Sequence, residues 1–264
     1  MSSAPRRQPA SQTSGPPPQL RVIQPDDALS PSLDAAGATD WRACELKFFV
    51  SPEVAAVVQA WAGQNLSADP HADPAQGGTY LTTTLYLDTP RWDVFRRSLG
   101  FRRRKYRIRR YGDAAQVHLE RKSRRQDWVR KRRCEVPQAE LARLAAASRP
   151  SDWAGDWFHE QTARRMLRPA GRITYRRAAF VGTAAGNPIR LTLDRQVRGA
   201  LAADWCLDPV STGEDLLAGG VICEFKFRDA MPPLFQQLQA ELKLAAGSVS
   251  KYRRCIAAAL PEIG

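Results

Sequence analysis

Six short stretches of this chain place charged or polar groups two residues apart, around an apolar or outward-facing residue. They are Glu45-Leu46-Lys47, Arg107-Ile108-Arg109, Glu120-Arg121-Lys122, Tyr175-Arg176-Arg177, Arg190 to Asp194 around Leu191 and Leu193, and Glu224-Phe225-Lys226. Residues i and i+2 of a β-strand share one face. Several strands therefore carry charge on one side and mostly apolar groups on the other. An ordinary sandwich turns its polar face to water. Here that face is mainly cationic, carries a few carboxylates and recurs six times. The pattern, with about eight strands in hairpin-like order, predicts an α+β fold built on one closed antiparallel β-barrel, with a polar cationic lumen that holds a polyanion and with flanking helices.

The charge balance points the same way. The chain of 264 residues carries a formal net charge of +13. Between Arg102 and Arg133 there are 15 Lys and Arg against three acids, Asp113, Glu120 and Asp127. Such a surplus calls for an anionic partner. The five cysteines (44, 134, 206, 223 and 255) are odd in number and form no CxxC pair. That argues against a disulfide framework or a zinc site and for reduced thiols. Cys44 and Cys223 each precede a charged-face glutamate, so both are expected on the apolar side. No run of about 18 apolar residues predicts a membrane span, and the N-terminus has no apolar signal core. The expected location is cytoplasmic, with membrane association only through a protein partner.

Residues 1–40 are rich in Pro, Ser, Ala and Gln and read as a disordered tail before a single domain over 41–264. Strands are expected at 41–50, 79–88, 102–111, 116–122, 128–136, 172–181, 189–197 and 221–227. Turns fall at Gly112-Asp113 and near Arg125-Gln126-Asp127. Ser51, Pro52 and Glu53 form a helix start, followed by Val54, Val57, Val58 and Trp61 at helical spacing. Further helices are expected at 90–99, 137–147, 151–167, 232–244 and 250–259.

A phosphate chain needs several cations around it. Arg offers a planar fork of donors and Lys a point charge. Lys47, Arg107, Arg109, Lys122, Arg177, Arg190 and Lys226 make such a set if their strands converge. Phosphoryl transfer also uses a divalent metal held by a few carboxylates and by the phosphates themselves. Glu224 is the first candidate ligand, with Glu45, Glu120 and Asp194 on similar faces. Glu45 and Glu120 pairing with arginines is an equal alternative. His118 shares the face of Glu120 and Lys122 and is read as structural. His71 and His159 carry no signal. Trp153 and Trp157, four apart, are read as core.

The ordered motifs Glu-x-Lys-Phe (45–48), Leu-Tyr-Leu-Asp-Thr (85–89), Arg-x-Arg-x-Tyr-Gly (107–112), Leu-Glu-Arg-Lys (119–122), Tyr-x-Arg-x-Ala-Phe (175–180), Arg-x-Thr-x-Asp (190–194), Cys-Glu-Phe-Lys (223–226) and Ser-Lys-Tyr (250–252) resemble the VTC domain. That is the polyphosphate polymerase domain of the vacuolar transporter chaperone family, within the triphosphate tunnel metalloenzyme superfamily. The resemblance spans about residues 41–260. It implies a metal-dependent polyphosphate polymerase that transfers the γ-phosphate of ATP onto a growing polyphosphate chain. It implies an eight-stranded antiparallel β-barrel tunnel, in which Lys47, Arg107, Arg109, Lys122, Arg177 and Arg190 line the lumen and take part in catalysis with Glu224. Tyr175 would share that wall, and Lys251 would sit near the mouth. Glu224 would hold Mn2+ or Mg2+. The hydrolytic branches of the superfamily open with Glu-x-Glu-x-Lys, whereas this chain reads Ala43-Cys44-Glu45-Leu46-Lys47. The missing first glutamate shifts weight toward the polymerase. A tripolyphosphatase or nucleoside triphosphatase in the same tunnel, and a non-catalytic polyphosphate or inositol-phosphate binding module, remain as alternatives. The membrane-spanning segment of the eukaryotic relatives is absent from this chain. Nucleic acid is an unlikely partner, because the cations alternate with apolar residues instead of interleaving with exposed aromatics.

Overall fold

The computed structural model describes residues 43–125, 128–146 and 152–263. The expected tail over 1–40 and the turn residues Gln126 and Asp127 lie outside the described residues. One antiparallel sheet dominates. Its strands are β1 (Ala43–Val50), β2 (Ser67–Ala68), β3 (Thr79–Asp88), β4 (Arg104–Tyr111), β5 (Gln116–Arg125), β6 (Trp128–Pro137), β7 (Arg168–Ala184), β8 (Asn187–Leu201), β9 (Glu214–Asp215) and β10 (Val221–Arg228). The order across the sheet is β1-β10-β8-β7-β3-β4-β5-β6, with β2 added on β7 and β9 on β8. The eight long strands match the eight expected from period-two alternation. The two-residue strands β2 and β9 are too short to carry such a signal.

The expected closed barrel is not what forms. Among the described residues the sheet is open: β1 pairs with β10 alone and β6 with β5 alone. The reason lies at the free edge of β1. Phe48 forms a bridge with Ala246, and the Gly247 N–H donates to the Lys47 carbonyl at 2.8 Å. The chain approaching the last helix thus occupies edge groups that a closing strand would need. The sheet is nevertheless strongly curved. Six strand steps separate β1 from β5, about 29 Å in a flat sheet, yet the Lys122 ammonium donates to the Glu45 carboxylate at 2.7 Å. The charged face is therefore concave, and its side chains meet across a groove.

The convex face packs in two apolar clusters. One holds Leu85, Leu87, Tyr106, Ile108, Val117, Leu119 and Val136 from the strands, with Phe158 of α3 (Asp156–Arg164); Ile256 of α5 (Lys251–Ala259) joins it from the concave side, against Gly171. Trp153 and Trp157 belong to it, as expected of core residues. The other gathers Phe48, Leu191, Leu193, Cys223 and Phe225 under α1 (Pro52–Asn65) and α4 (Pro233–Glu241). Cys223 is buried there and Cys44 packs at its margin. Helix α1 starts as expected, with the Ser51 hydroxyl accepting from the Val54 N–H. Its buried stripe differs: Ala55, Val58 and Ala62 face the sheet, while Val57 is 52% exposed. The small alanines let the helix lie close against the strands. The stretch 138–145 is a 3-10 helix. Gly112, at φ +52°, takes the left-handed conformation that turns β4 into β5.

The Leu-Tyr-Leu-Asp-Thr motif has a structural task. The Asp88 carboxylate is fully buried and accepts from the Thr89, Val94 and Phe95 N–H groups at 2.7, 2.8 and 2.9 Å. It also accepts from the Tyr252 hydroxyl at 2.5 Å. One side chain thus caps α2 (Asp93–Arg96) and ties α5 to β3. Replacing it strands several buried donors at once. Asp88→Ala should lower unfolding stability by about 3 kcal/mol or more, read from urea midpoints at unchanged slope.

Candidate functional site: a cationic groove on the concave face

Alternation carries the side chains into the groove. In β4, Lys105, Arg107, Arg109 and Tyr111 project to the concave side, while Tyr106 and Ile108 are buried in the core. Strand β5 adds His118, Glu120 and Lys122, and β6 adds Lys131 and Arg133. Strands β7, β8 and β10 contribute Tyr175 and Arg177, Arg190 and Asp194, and Glu224 and Lys226. Strand β1 brings Glu45 and Lys47 against β10, where Lys47 pairs with Glu224 in register.

The four candidate carboxylates sit in three separate nests. Glu45 and Glu224 share two lysines. Lys47 contacts both carboxylates, and Lys226 lies 3.4 Å from Glu45 and 2.9 Å from Glu224. Lys122 joins them through Glu45. Glu120 is fully buried and meets Arg107 at 2.5 Å, Lys131 at 2.8 Å and Arg133 at 3.6 Å. Asp194 receives a two-pronged bond from Arg177 at 2.6 and 2.8 Å and the Lys251 ammonium at 2.5 Å. That ammonium also lies 4.6 Å from the centre of the Tyr175 ring. Asp69, on the loop after β2, holds Arg190 at 2.7 Å.

Each residue of the Ser-Lys-Tyr motif acts separately. The Ser250 hydroxyl caps α5 by accepting from the Arg253 N–H, and accepts from the Lys105 ammonium at 3.2 Å. Lys251 reaches Asp194, and Tyr252 reaches Asp88.

Burial and crowding set the protonation of the groove. Burial opposes charge on Glu45, Glu120, Glu224 and Asp194, but the surrounding cations outweigh it and hold all four below the ordinary carboxylate range. Burial, with the neighbouring cations Lys122, Lys47 and Arg107, pulls Lys105 down to about 8. Burial also brings Lys131 to about 8, with Arg133 and Arg107 adding to the effect. Tyr111 is brought down to about 7, because Arg109, Arg133 and Lys131 override its burial. His118 is pushed down to about 3 by burial and by Arg133, so it is neutral and packs on Tyr111.

All of the expected groove residues lie on this face, but the expected metal set does not assemble. Glu120 and Asp194 are each enclosed by their own cations, away from the Glu45–Glu224 pair. Among the described residues, no group of three or more His, Cys, Asp or Glu side chains is placed to hold a metal. The expectation of manganese is therefore not borne out, and of the candidate ligands Glu224, Glu45, Glu120 and Asp194 only Glu45 and Glu224 lie together. The Glu45–Glu224 pair fits a smaller role. Two carboxylates now neutralised by shared lysines present the charge that a hard divalent ion also satisfies, and such an ion commonly takes only one or two protein carboxylates, plus phosphate and water.

Sequence reasoning missed Lys105, Lys131, Arg133 and Tyr111. Lys131 and Arg133 are two apart, as the pattern demands, but they sit inside a continuous basic run that hides the alternation. Lys105 lies in the run Arg102-Arg103-Arg104-Lys105, where only the strand register says which member points inward. No helix among the described residues is long and apolar enough to cross a membrane.

A sequence profile of the VTC domain matches residues 42–260. No curated protein matches the chain. Among solved structures, a candidate adenylate cyclase from Bacillus halodurans is similar at 14% identity, over 78% of this chain and 92% of that one, with a TM-score of 0.48. The protein HpAC1 from Hippeastrum, a candidate adenylyl cyclase described with a dominant triphosphatase activity, is similar at 15% identity, over 82% and 96% of the two chains, with a TM-score of 0.46. The PH1819 protein of Pyrococcus horikoshii reaches 14% identity over 80% and 96%, with a TM-score of 0.44. At such identity and similarity nothing about the reaction transfers from these structures.

Two pH effects follow from the groove. The four depressed carboxylates bind fewer protons folded than unfolded. Their stabilisation is complete above the unfolded values of 4.5 for Glu and 3.8 for Asp, and it drains away as pH falls below them. The melting temperature should fall steeply between pH 5 and about 3, and inorganic tripolyphosphate should raise it again. At the other end, Lys105 and Lys131 lose protons near pH 8, and an anion favours their charged forms. Tripolyphosphate binding should therefore weaken from pH 7 to 9, with net proton uptake near pH 8 seen by calorimetry in two buffers.

Proposed function

This chain belongs to the VTC domain family, and from that premise we propose that its groove binds and processes phosphoanhydride chains. The substrate is the triphosphate of a nucleotide or an inorganic polyphosphate, and the reaction is attack on a phosphorus atom of that chain. The observation that carries this reading is the charge of the concave face. Lys47, Lys105, Arg107, Arg109, Lys122, Lys131, Arg133, Arg177, Arg190, Lys226 and Lys251 converge there, against Glu45, Asp69, Glu120, Asp194 and Glu224, with the more exposed Glu135 beside His118.

The residues divide the work. Arg107, Arg109, Arg177 and Arg190 are held by Glu120, Thr84, Asp194 and Asp69. Their guanidinium groups are thereby oriented before any ligand arrives, which favours electrostatic stabilisation of charge developing on phosphate oxygens. Lys47, Lys122 and Lys226 surround Glu45 and Glu224 and supply positive charge to the phosphates beside that pair. A divalent ion held by Glu45 and Glu224 would supply charge neutralisation between adjacent phosphates. No side-chain nucleophile is required, because the attacking oxygen comes from water or from a phosphate terminus.

Water as acceptor makes the protein a triphosphatase, and this reading asks nothing more of the site than one bound chain. A second reading, a polyphosphate polymerase using ATP, is favoured by the length of the cationic run. The cations extend along β4 from Lys105 to Arg109 and across to β1 and β10, further than one triphosphate needs for neutralisation.

Incubation of the purified protein with ATP and magnesium, with the products resolved on a polyphosphate gel beside a free-phosphate assay, separates these readings. Free phosphate alone gives the hydrolase, and a ladder with ADP gives the polymerase. Neither product would overturn turnover and leave a binding module. Glu224→Gln should lower kcat by at least about a hundredfold while tripolyphosphate binding largely survives. Arg109→Ala should weaken both. Full activity in Glu224→Gln would sink its role.

A further inference from the structure

Tyr111 ends β4, six residues beyond Lys105 and so about 20 Å along the strand from the lysine-rich end of the groove. At this end the cations give way to rings. His71, exposed on the loop after β2, stacks on Tyr111 with centroids 5.1 Å apart and planes 23° apart. Tyr80 meets Tyr111 edge-on at 5.8 Å, and His118 lies 5.3 Å from it with the rings tilted by 54°. The arginines of the groove begin at once beneath: Arg109 and Arg133 each lie 5.9 Å from the Tyr111 centroid, and Arg190 donates to the Tyr80 hydroxyl at 3.2 Å.

The loop that presents His71 is fixed to the same cationic set. The His71 N–H donates to one Asp69 carboxylate oxygen at 3.0 Å, and Arg190 meets the other at 2.7 Å. Asp69 is itself 5% exposed. A buried carboxylate thus sets an exposed imidazole and a groove arginine in one frame. Phosphate has no π-face and gains nothing from a ring at the mouth of its channel. A flat heterocycle joined to a phosphate chain gains from both.

Resting on the phosphate-chain reading above, we infer that the His71–Tyr111 stack is a nucleobase platform, where the outer face of His71 receives the base of a nucleoside triphosphate whose phosphates run inward past Arg190 and Arg109. The platform has no hydrogen-bond code for one base, because every base offers a π-face. It distinguishes nucleoside triphosphates from inorganic tripolyphosphate and not ATP from GTP.

Calorimetric titration of the full chain with ATP and, separately, with inorganic tripolyphosphate tests this. His71→Ala should weaken ATP binding by at least about fivefold, the lower end for loss of one base–aromatic stack, and leave tripolyphosphate affinity within about twofold. His71→Phe, which keeps a ring and loses the imidazole nitrogens, should restore ATP binding. The triphosphate of 2-aminopurine riboside should lose fluorescence on binding to the wild type and to His71→Phe, and keep it on binding to His71→Ala. An equal loss for both ligands in His71→Ala would make His71 a support of the loop and overturn the platform, as would unchanged ATP affinity. Failure of the wild type to bind tripolyphosphate is a different failure, which removes the phosphate-chain reading and this inference with it.

Discussion

A cation taken out of water costs several kcal/mol unless a counter-charge meets it, and the curved sheet of this protein gathers a row of them on one face. The carboxylates are spaced to meet that demand. Glu120 answers Arg107, Lys131 and Arg133, Asp194 answers Arg177 and Lys251, and Glu45 with Glu224 answers three lysines. The balance stays incomplete, and the incompleteness shows in the chemistry. Lys105 and Lys131 are pulled down to about 8 because neighbouring positive charge adds to their burial. A polyanion in the groove relieves both, so the same imbalance that limits stability creates affinity.

Two polar nodes keep this arrangement in register with the rest of the molecule. Asp88 draws together the end of β3, the start of α2 and Tyr252 of α5. One residue earlier in α5, Lys251 reaches into the groove and meets Asp194. Helix α5, whose Tyr252 stacks on Tyr86 of the groove-facing side of β3, is thereby fixed at the concave site through adjacent residues. The segment just before it takes the edge of β1 at Phe48 and Lys47. The C-terminal chain therefore decides how the sheet ends, as well as supplying a lysine to the groove.

The carboxylates illustrate how one residue type serves different ends. From the sequence, Glu224 is the first candidate for a metal, with Glu45, Glu120 and Asp194 on similar faces behind it. In the fold, Glu120 and Asp194 are anchors that orient arginines, and only Glu45 and Glu224 face shared charge between them. Glu120 in particular is fully buried beneath its partners. Its replacement would free Arg107 before it touched any ion.

Much of this was legible in the chain because a strand's period is two. Glu45 and Lys47, Arg107 and Arg109, or Glu224 and Lys226 declare their face by spacing alone, and apolar neighbours such as Ile108 and Phe225 declare the core. The eight long strands and the starts of α1 and α5 follow from local rules of the same kind. Where charge is continuous, as from Arg102 to Lys105 or Arg130 to Arg133, alternation disappears and the inward members cannot be told from the outward ones. His71 was invisible for a related reason: its meaning comes from a stack on Tyr111, distant in sequence and on another element. Whether the sheet closes was also beyond local pattern. Strand composition determined that a curved, two-faced sheet would form, but only the tertiary structure decided that its edge at β1 would pair with Ala246 and Gly247 instead of β6. Edge hydrogen bonds are the same for every residue type, and their partner is chosen by what the whole chain brings within reach.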